Sequence, residues 1–272
     1  MNHLLRELAP LSAEAWALID DEARRTLKLR LAGRKLVDFD GPHGWQRSAV
    51  ELGRAEPIQQ PPAPGAEGRL RKLQPLVEVR VPFEVDRAEM EAAARGAKDA
   101  DVDAVRKAAI AAALAEDHAI FHGYAGAGIR GMAEAGADAT LGITTDYEKY
   151  PGVVANAVHK LHTAGVDGPY AIALGPRCYT GLTTTTDDGF PVIEHVRRIL
   201  DGPIVWAPAV DGAAVLSLRG GDFELTVGAD FSIAYLEHTA AKVRLCLQES
   251  FTFRVLSPEA VVPLSYSGKG ER

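Results

Sequence analysis

The sequence has few of the features of secreted, disulfide-bonded or membrane-spanning proteins. Only two of its 272 residues are cysteine, and Cys178 and Cys246 form no CxxC pair, which favours two buried free thiols over a disulfide or a metal site. The longest apolar run, 108–115, is too short to cross a bilayer. The segment 1–7 lacks the apolar core of a signal peptide. A cytoplasmic protein with no membrane association is therefore predicted.

An excess of positive charge is missing as well. The chain has 30 Lys and Arg against 37 Asp and Glu, a formal charge of −7, whereas nucleic-acid-binding proteins concentrate basic residues on one face. No nucleic-acid partner is predicted. With 47% hydrophobic and 25% charged residues the composition is that of a folded globular protein. The length fits one elaborate unit or two interleaved lobes.

Catalytic signatures are also absent. Residues 126–131 read GAGIRG and match G-x-G-x-x-G, but a predicted helix precedes them where a dinucleotide site requires a strand, so we interpret them as a joint between lobes. His118 and His122, like His159 and His162, have the helical spacing of a metal-binding pair, yet no third ligand is fixed by spacing. No G-x-S-x-G motif occurs. We predict no catalytic residue, no bound metal and no enzymatic activity.

The sequence does contain alternating helical and extended segments. Ser12 is predicted to cap a helix that runs to about Ala32, and an Ala-rich helix is predicted from Asp101 or Asp103 to about residue 122. Apolar and polar residues alternate over 77–85, which predicts a strand with one buried face.

A proline-rich segment over 53–68 cannot be helical, because proline interrupts the backbone hydrogen bonds of a helix. Together with the strand over 77–85 it predicts a long hairpin, two extended arms joined by a proline-rich tip over 49–85, with no core of its own. A linker between domains is the alternative interpretation.

The remainder divides into an α/β part and a β-rich part. Residues 127–208 alternate helix and strand, with helices from Pro151 to Gly165 and from Pro191 to Leu200. Strands are predicted there at 170–174 and 204–206, and the β-rich part has strands at 213–218, 223–227, 231–235, 243–248, 251–256 and 260–264. The polar tail 265–272 is predicted to be disordered.

One loop of the α/β part is unusually polar and acidic. It comprises Thr183, Thr184, Thr185, Thr186, Asp187, Asp188 and Gly189. Repeated around an axis in a ring of subunits, such a loop would form a negatively charged constriction, and rings of acidic side chains favour cations. An ordinary surface loop is the other interpretation.

Several dispersed sequence blocks occur in the order found in one protein family. They are LAPL at 8–11 with Trp16, GRKLVD at 33–38, GPHGW at 41–45, GVDGPY at 165–170, RGGDF at 219–223 and QESFTF at 248–253. The chain thereby resembles the shell proteins of encapsulin nanocompartments, the linocin/encapsulin family, from Leu4 to about Leu264.

This resemblance implies an α+β fold of the HK97 phage-capsid type. It implies a discontinuous peripheral P-domain over 1–48, 86–126 and 209–264, an extended E-loop hairpin over 49–85 that reaches across a neighbouring subunit, and an axial A-domain over 127–208 that gathers at five-fold vertices.

The resemblance also implies a structural role. A family member is a shell subunit that assembles with itself into a hollow icosahedral particle, here expected to hold 60 copies as in the family's smallest shell. The shell encloses a cargo enzyme, a dye-decolorising peroxidase or a ferritin-like iron-storage protein, which is held by a C-terminal targeting peptide. The loop 183–189 corresponds to the family's five-fold pore loop, where Asp187 and Asp188 would favour entry of small cations.

The resemblance places the groove for the cargo peptide on the inner wall, near the first helix and the last sheet. The expected residues are Leu27, Leu31, Arg34, Leu36, Asp38, Phe231, Ile233 and Tyr235. Apolar members would accept aliphatic side chains of the peptide, and Asp38 could pair with a basic one. Ordinary core positions for Leu27, Leu31 and Leu36 are the competing interpretation.

Some family members bind flavin at an aromatic residue in the segment equivalent to 85–89. That segment has no aromatic side chain here and Arg87 is basic, so neither flavin nor another cofactor is predicted.

Two other functions share parts of this pattern. A phage or prophage capsid subunit would have the same fold, but would be expected to carry a scaffolding or processed N-terminal extension. A hydrolase or bacteriocin-like protein is disfavoured by the lack of a nucleophile constellation.

Overall fold

The computed structural model describes residues 3–60 and 62–266. The helices are α1 (Ala13–Arg30), α2 (Arg87–Ala94), α3 (Asp103–Phe121), α4 (Met132–Ala135), α5 (Tyr150–Thr163), α6 (Pro176–Thr184) and α7 (Val192–Leu200). Among the described helices, none is both long and apolar enough to cross a membrane.

The strands are short, apart from those of a projecting hairpin and one central sheet. They are β1 (Asp38–Asp40), β2 (Ala49–Ile58), β3 (Gly68–Pro75), β4 (Val77–Asp86), β5 (Gly123–Tyr124), β6 (Ile129–Arg130), β7 (Leu141–Ile143), β8 (Tyr170–Leu174), β9 (Thr186–Asp187), β10 (Phe190–Pro191), β11 (Ile204–Trp206), β12 (Ala213–Ser217), β13 (Phe223–Val227), β14 (Ser232–His238), β15 (Lys242–Val255) and β16 (Val261–Tyr266).

The long strand β15 organises the first sheet. It pairs antiparallel with β14 and β4 along its first part and with β13 along its second, and β1 pairs parallel with β13. The sequence predicted two strands, 243–248 and 251–256, because polar residues stand between them. The structure has one strand, since Glu249 and Ser250 are buried and have hydrogen-bond partners in other elements.

Helices α1 and α3 cover one face of this sheet. Ser12 caps α1 as predicted, its hydroxyl accepting a hydrogen bond from the N–H of Ala15 at 3.2 Å. The buried stripe of α1 packs on the small alanines of α3 and on β4 and β15. Small side chains let α3 lie close to both neighbours, so α1 is fixed against the sheet.

The projecting hairpin is shorter than predicted. It consists of β2 and β3, which pair antiparallel, and among the described residues of 49–75 only Val50 is buried. The strand over 77–86 is not an arm of this hairpin. It pairs with β15 over its whole length, because Phe83 and Val85 bury their side chains under the helices.

The α/β part contains more of the chain than predicted. Its sheet has the order β11-β8-β12-β16-β7, so β12 and β16, expected in the peripheral domain over 209–264, cross back into this lobe. All of β12 and residues 261–264 of β16 are buried, as central strands covered on two faces must be. Helices α2, α4 and α6 were not predicted.

The end of the chain differs partly from the prediction. Ser265 and Tyr266, assigned to a disordered tail, belong to β16, where Tyr266 shares a hydrogen bond with Cys178. The rest of that tail, 267–272, lies outside the described residues. Cys178 and Cys246 are buried and free, as predicted.

Candidate functional site

A groove of about 470 Å³ runs between α1 and β14. Helix α1 forms one wall, and β14 with the turn before it forms the other. The groove is lined by Arg6, Asp20, Ala23, Arg24, Leu27, Lys28, Leu31, Arg34, Asp230, Phe231, Ser232, Ile233 and Leu247.

Helix geometry decides which α1 residues reach the groove. Positions 20, 24, 27 and 31 lie on one face because the spacing follows the helical turn. Leu27 and Leu31 are buried and form the floor with Ile233, while Arg24 and Lys28 are exposed at the rim. Leu29 points elsewhere and is 63% exposed. The groove therefore has an apolar floor beside a basic rim.

One end of the groove is held by the N-terminal segment. The guanidinium of Arg6 donates to both carboxylate oxygens of Asp20, at 3.1 and 2.7 Å, and lies 3.9 Å from the ring centre of Trp16. The Tyr235 N–H donates to the Leu4 carbonyl at 2.8 Å. These contacts seat residues 4–6 against both α1 and β14.

The other end is closed by Arg34, which stands in a cluster of carboxylates. Its guanidinium donates to Glu116 at 2.6 Å, to Asp230 at 2.9 Å and to Glu249 at 3.2 Å. Its planar group also lies 4.8 Å from the ring centre of Phe231. The chain places Arg34 here because α1 ends at residue 30 and a short 3₁₀ turn over Gly33–Lys35 directs the side chain inward.

This cluster shifts two titrating groups. Burial alone would lower the pKa of Arg34, but its ion pairs with Glu116, Asp230 and Glu249 outweigh burial and raise that pKa. Burial and the nearby Glu116 raise the pKa of Glu249 well above its ordinary value. One oxygen of Glu249, Oε1, has no hydrogen-bond partner among the described residues.

Asp117 stabilises the turn that carries Arg34. It accepts hydrogen bonds from the N–H groups of Ala32 and Gly33, at 2.9 and 2.8 Å. Burial raises the pKa of Asp117 to about 7, although these two donors oppose the rise. A Cβ atom at Gly33 would lie only 2.5 Å from Cδ1 of Ile120, so a larger residue there would have to displace this side chain of α3.

The structure brings together five of the eight residues expected in a peptide groove. Those that line it are Leu27, Leu31, Arg34, Phe231 and Ile233.

The other three lie elsewhere, and each has a local reason. Leu36 follows the turn after α1 and is buried in the core of the other lobe. Asp38 starts β1 and accepts a hydrogen bond from the Gly221 N–H at 2.6 Å. Tyr235 lies beyond the groove on β14, where its hydroxyl hydrogen-bonds His238 at 2.6 Å.

Six polar groove residues were missed by sequence reasoning. They are Arg6, Asp20, Arg24, Lys28, Asp230 and Ser232. The helical spacing from Leu27 and Leu31 back along α1 could have found Asp20, Arg24 and Lys28. Arg6 and Asp230 reach the groove through tertiary packing, for which the sequence has no local signal.

The acidic loop 183–189 is a tight hairpin rather than an open loop. Thr183 and Thr184 end α6, and β9 and β10 pair around the two-residue turn Asp188-Gly189. Both turn residues have positive φ, 46° and 80°, as a type I′ turn requires. Asp187 and Asp188 are exposed at this tip. The Asp-Gly dipeptide was the sequence signal for this turn.

Two other motifs do not form sites. His118 and His122 contact each other, with ring centres 4.9 Å apart, and His122 also hydrogen-bonds the Ala209 carbonyl. In the part of the chain that the structure describes, no group of three or more His, Cys, Asp or Glu side chains could hold a metal ion. The glycine-rich segment 126–131 follows α3 and includes the small strand β6, so it lacks the strand-to-helix context of a dinucleotide site.

Comparison with known proteins gives three findings. The family model described as "Encapsulating protein for peroxidase" matches residues 1–252. The type 1 encapsulin shell protein of Rhodospirillum rubrum is 56% identical over 270 residues, covering 97% of this chain and 96% of the relative. That of Rhodococcus erythropolis is 48% identical over 265 residues, covering 97% of this chain and 100% of the relative.

Solved structures agree on the fold. The virus-like particle from Pyrococcus furiosus superposes with a TM-score of 0.62 at 15% identity, covering 92% of this chain and 97% of that one. The Mycobacterium phage Bobi structure superposes with a TM-score of 0.58 at 12% identity, covering 88% and 91%. Both are of the HK97-like capsid type, so the fold expected from the sequence is confirmed.

Proposed function

The chain belongs to the encapsulin family of shell proteins, and on that premise we propose that 60 copies form an icosahedral shell around a cargo protein. Relatives named shell proteins imply assembly into multimers. The observation that carries the proposal is the β2–β3 hairpin, because Ile58, Leu70 and Leu73 are 48%, 64% and 55% exposed in the protomer. A neighbouring copy would cover these side chains. The free thiols of Cys178 and Cys246 favour a cytoplasmic shell.

The groove between α1 and β14 is proposed to hold the C-terminal targeting peptide of the cargo. Its apolar floor fits aliphatic side chains, and its length along α1 from Asp20 to Leu31 is about 16 Å, since a helix rises about 1.5 Å per residue. An extended peptide of about five residues spans that distance at about 3.3 Å per residue. The cargo would be a dye-decolorising peroxidase or a ferritin-like iron-storage protein, and catalysis would reside in the cargo.

A loading experiment tests the groove. The probe is a fluorescent protein fused to the last 30 residues of whichever protein co-purifies with native shells, co-expressed with the shell. Leu27→Asp places a charge on the apolar floor and should reduce the fluorescence per shell at least tenfold. Leu29→Asp is the matched control, because Leu29 lies on the same helix outside the groove. Undiminished loading of Leu27→Asp shells would refute the assignment.

We further propose that the hairpin tip at Asp187 and Asp188 lines a five-fold pore that favours small cations. The tip is exposed and carries two adjacent carboxylates, and the loop 183–189 contains no basic residue. Five copies around an axis would bring ten carboxylates together.

Charge removal at the tip tests the pore. Asn tolerates the positive φ of Asp188, so Asp187→Asn with Asp188→Asn removes charge without changing the turn. The initial rate of Fe²⁺ uptake by shells that hold a ferritin-like cargo should fall severalfold. Asp201→Asn is the control, because Asp201 also has positive φ, 57°, and lies outside the loop. Equal rates in the double variant and the unmodified shell would rule out this gate.

A further inference from the structure

The strand β14 has an open edge where it forms the wall of the groove. Within the described residues it pairs with β15 on one side only. In an antiparallel pair, the N–H and C=O of one residue point to the same side, and successive residues alternate. Tyr235 donates its N–H away from β15, to the Leu4 carbonyl, so Ile233 must also direct its N–H and C=O away from β15.

Within the described part of the chain, the outward N–H and C=O of Ile233 have no hydrogen-bond partner. Among residues 3–60 and 62–266, no group hydrogen-bonds the Ile233 N–H or C=O, although the residue is only 3% exposed and lines the groove. Buried backbone groups are almost always paired in proteins, and an unpaired one is costly. The neighbouring Phe231 N–H is already bonded to the Asp230 carboxylate at 2.8 Å. The backbone N–H and C=O of Ile233 are therefore the groups on this edge that a ligand could bond.

We propose that the cargo peptide binds by adding a strand to the edge of β14, through backbone hydrogen bonds to Ile233. This inference rests on the groove assignment made above. The peptide continues the pairing that Leu4 makes with Tyr235, one residue pair further along the same edge. Its side chains then alternate between the floor formed by Leu27 and Leu31 and the open side of the groove.

This mode defines the class of ligand. Backbone pairing supplies affinity that does not depend on side chains, and the floor adds specificity for an aliphatic residue at every second position. The required partner is thus a short extended peptide with alternating aliphatic residues and without proline at the position that donates to the Ile233 carbonyl.

The test uses co-expressed shells and the fluorescent fusion described above. Ile233→Pro removes the outward N–H but not a bond to β15, and edge strands tolerate proline in that orientation. Ile233→Ala is the matched control, since it also loses the side chain but keeps the N–H. Ile233→Pro shells should load about fivefold less fusion than Ile233→Ala shells, as expected for one lost hydrogen bond.

Hydrogen–deuterium exchange supplies a second measurement that requires no variant. In unmodified shells, the Ile233 amide should exchange at least tenfold more slowly when the fusion is loaded than when the shell is empty. This comparison decides the question if Ile233→Pro fails to assemble.

The outcomes separate the two proposals. Equal loading of the proline and alanine variants, or unchanged exchange at Ile233, would overturn strand addition. If Leu27→Asp still abolished loading, the groove assignment would stand. Full loading of Leu27→Asp would instead remove the groove assignment and the strand addition with it.

Discussion

At the residue scale, Arg34 lines the groove and also forms ion pairs with carboxyl groups buried in the protein interior. Its guanidinium is the shared partner of Glu116 and Glu249, whose side chains are fully buried, and of the more exposed Asp230. Removing one partner of a buried ion pair costs more than the pair contributes, because the remaining charge stays desolvated. The cluster therefore makes the closed end of the groove sensitive to single substitutions.

Arg34→Ala should destabilise the shell by about 3–5 kcal/mol, because the carboxylate of Glu116 would remain buried without its cation. For a chain of this size that loss corresponds to a fall in melting temperature of about 10 °C. Differential scanning fluorimetry of purified shells measures it.

Arg24→Ala is the comparison for that result. Arg24 and its partner Asp21 are each 73% exposed, so the substitution should change stability by less than about 1 kcal/mol. If Arg34→Ala changed stability as little as Arg24→Ala, the buried carboxyl groups of Glu116 and Glu249 would not depend on the guanidinium of Arg34.

The raised pKa values predict how stability depends on pH. A carboxyl group with a raised pKa binds a proton more tightly in the folded than in the unfolded chain, so stability falls as pH rises through the interval between the two values. For Asp117 that interval runs from its ordinary value, 3.8, to about 7. For Glu249 it starts at 4.5 and extends well above.

Glu249→Gln should reduce this pH dependence. A neutral amide can still accept from Arg34 and donate to Glu116, as a protonated carboxyl does. The melting temperature of the variant should match the unmodified shell near pH 5 and exceed it by a few degrees at pH 9. Glu84→Gln, which removes an exposed partner of Lys242, should leave the pH profile unchanged. Parallel profiles for all three proteins would contradict a raised pKa at Glu249.

At the element scale, local signals predicted the helices better than the pairing of the strands. Ser12 before an apolar periodicity was enough to place α1, and Pro151 was enough to place α5. The partner of β4 could not be predicted, because adjacency in sequence favoured the hairpin, while burial of Phe83 under α1 and α3 favoured β15. Strand pairing depends on tertiary contacts that no local pattern encodes.

The candidate groove was predictable only in part for the same reason. The apolar positions of α1 follow from periodicity, and the strand positions Phe231 and Ile233 follow from alternation. Leu36 and Asp38 follow the 3₁₀ turn over Gly33–Lys35 and lie outside the groove, so their role in peptide binding stays a prediction.

The hairpin formed by β2 and β3 should be needed for assembly but not for folding. Leu70→Asp combined with Leu73→Asp places charges on side chains that are exposed in the protomer and would be covered in the shell. Far-ultraviolet circular dichroism should be unchanged, whereas size-exclusion chromatography should show loss of the particle peak, because buried unpaired charges cost several kcal/mol per interface.

Lys72→Ser is the comparison on the same strand, since it changes an exposed polar residue between the two leucines. Its shells should form normally. Normal shells from the double leucine variant would mean that the hairpin does not dock on a neighbour.

At the scale of the whole molecule, the chain passes between the two lobes several times. Strands β12 and β16 join the sheet of β8 and β11, while β13 and β15, which lie between them in sequence, belong to the other sheet. The two lobes therefore share a continuous core that includes Leu225 and Phe251. The hairpin of β2 and β3 pairs with neither of these two sheets.

We expect this chain to complete its structure only in contact with copies of itself. Native mass spectrometry or sedimentation velocity of the purified protein tests it most directly. We expect closed particles of about 1.7 MDa, 60 times the 29.1 kDa chain. A folded 29.1 kDa monomer that persisted across all concentrations, with no larger species, would contradict it.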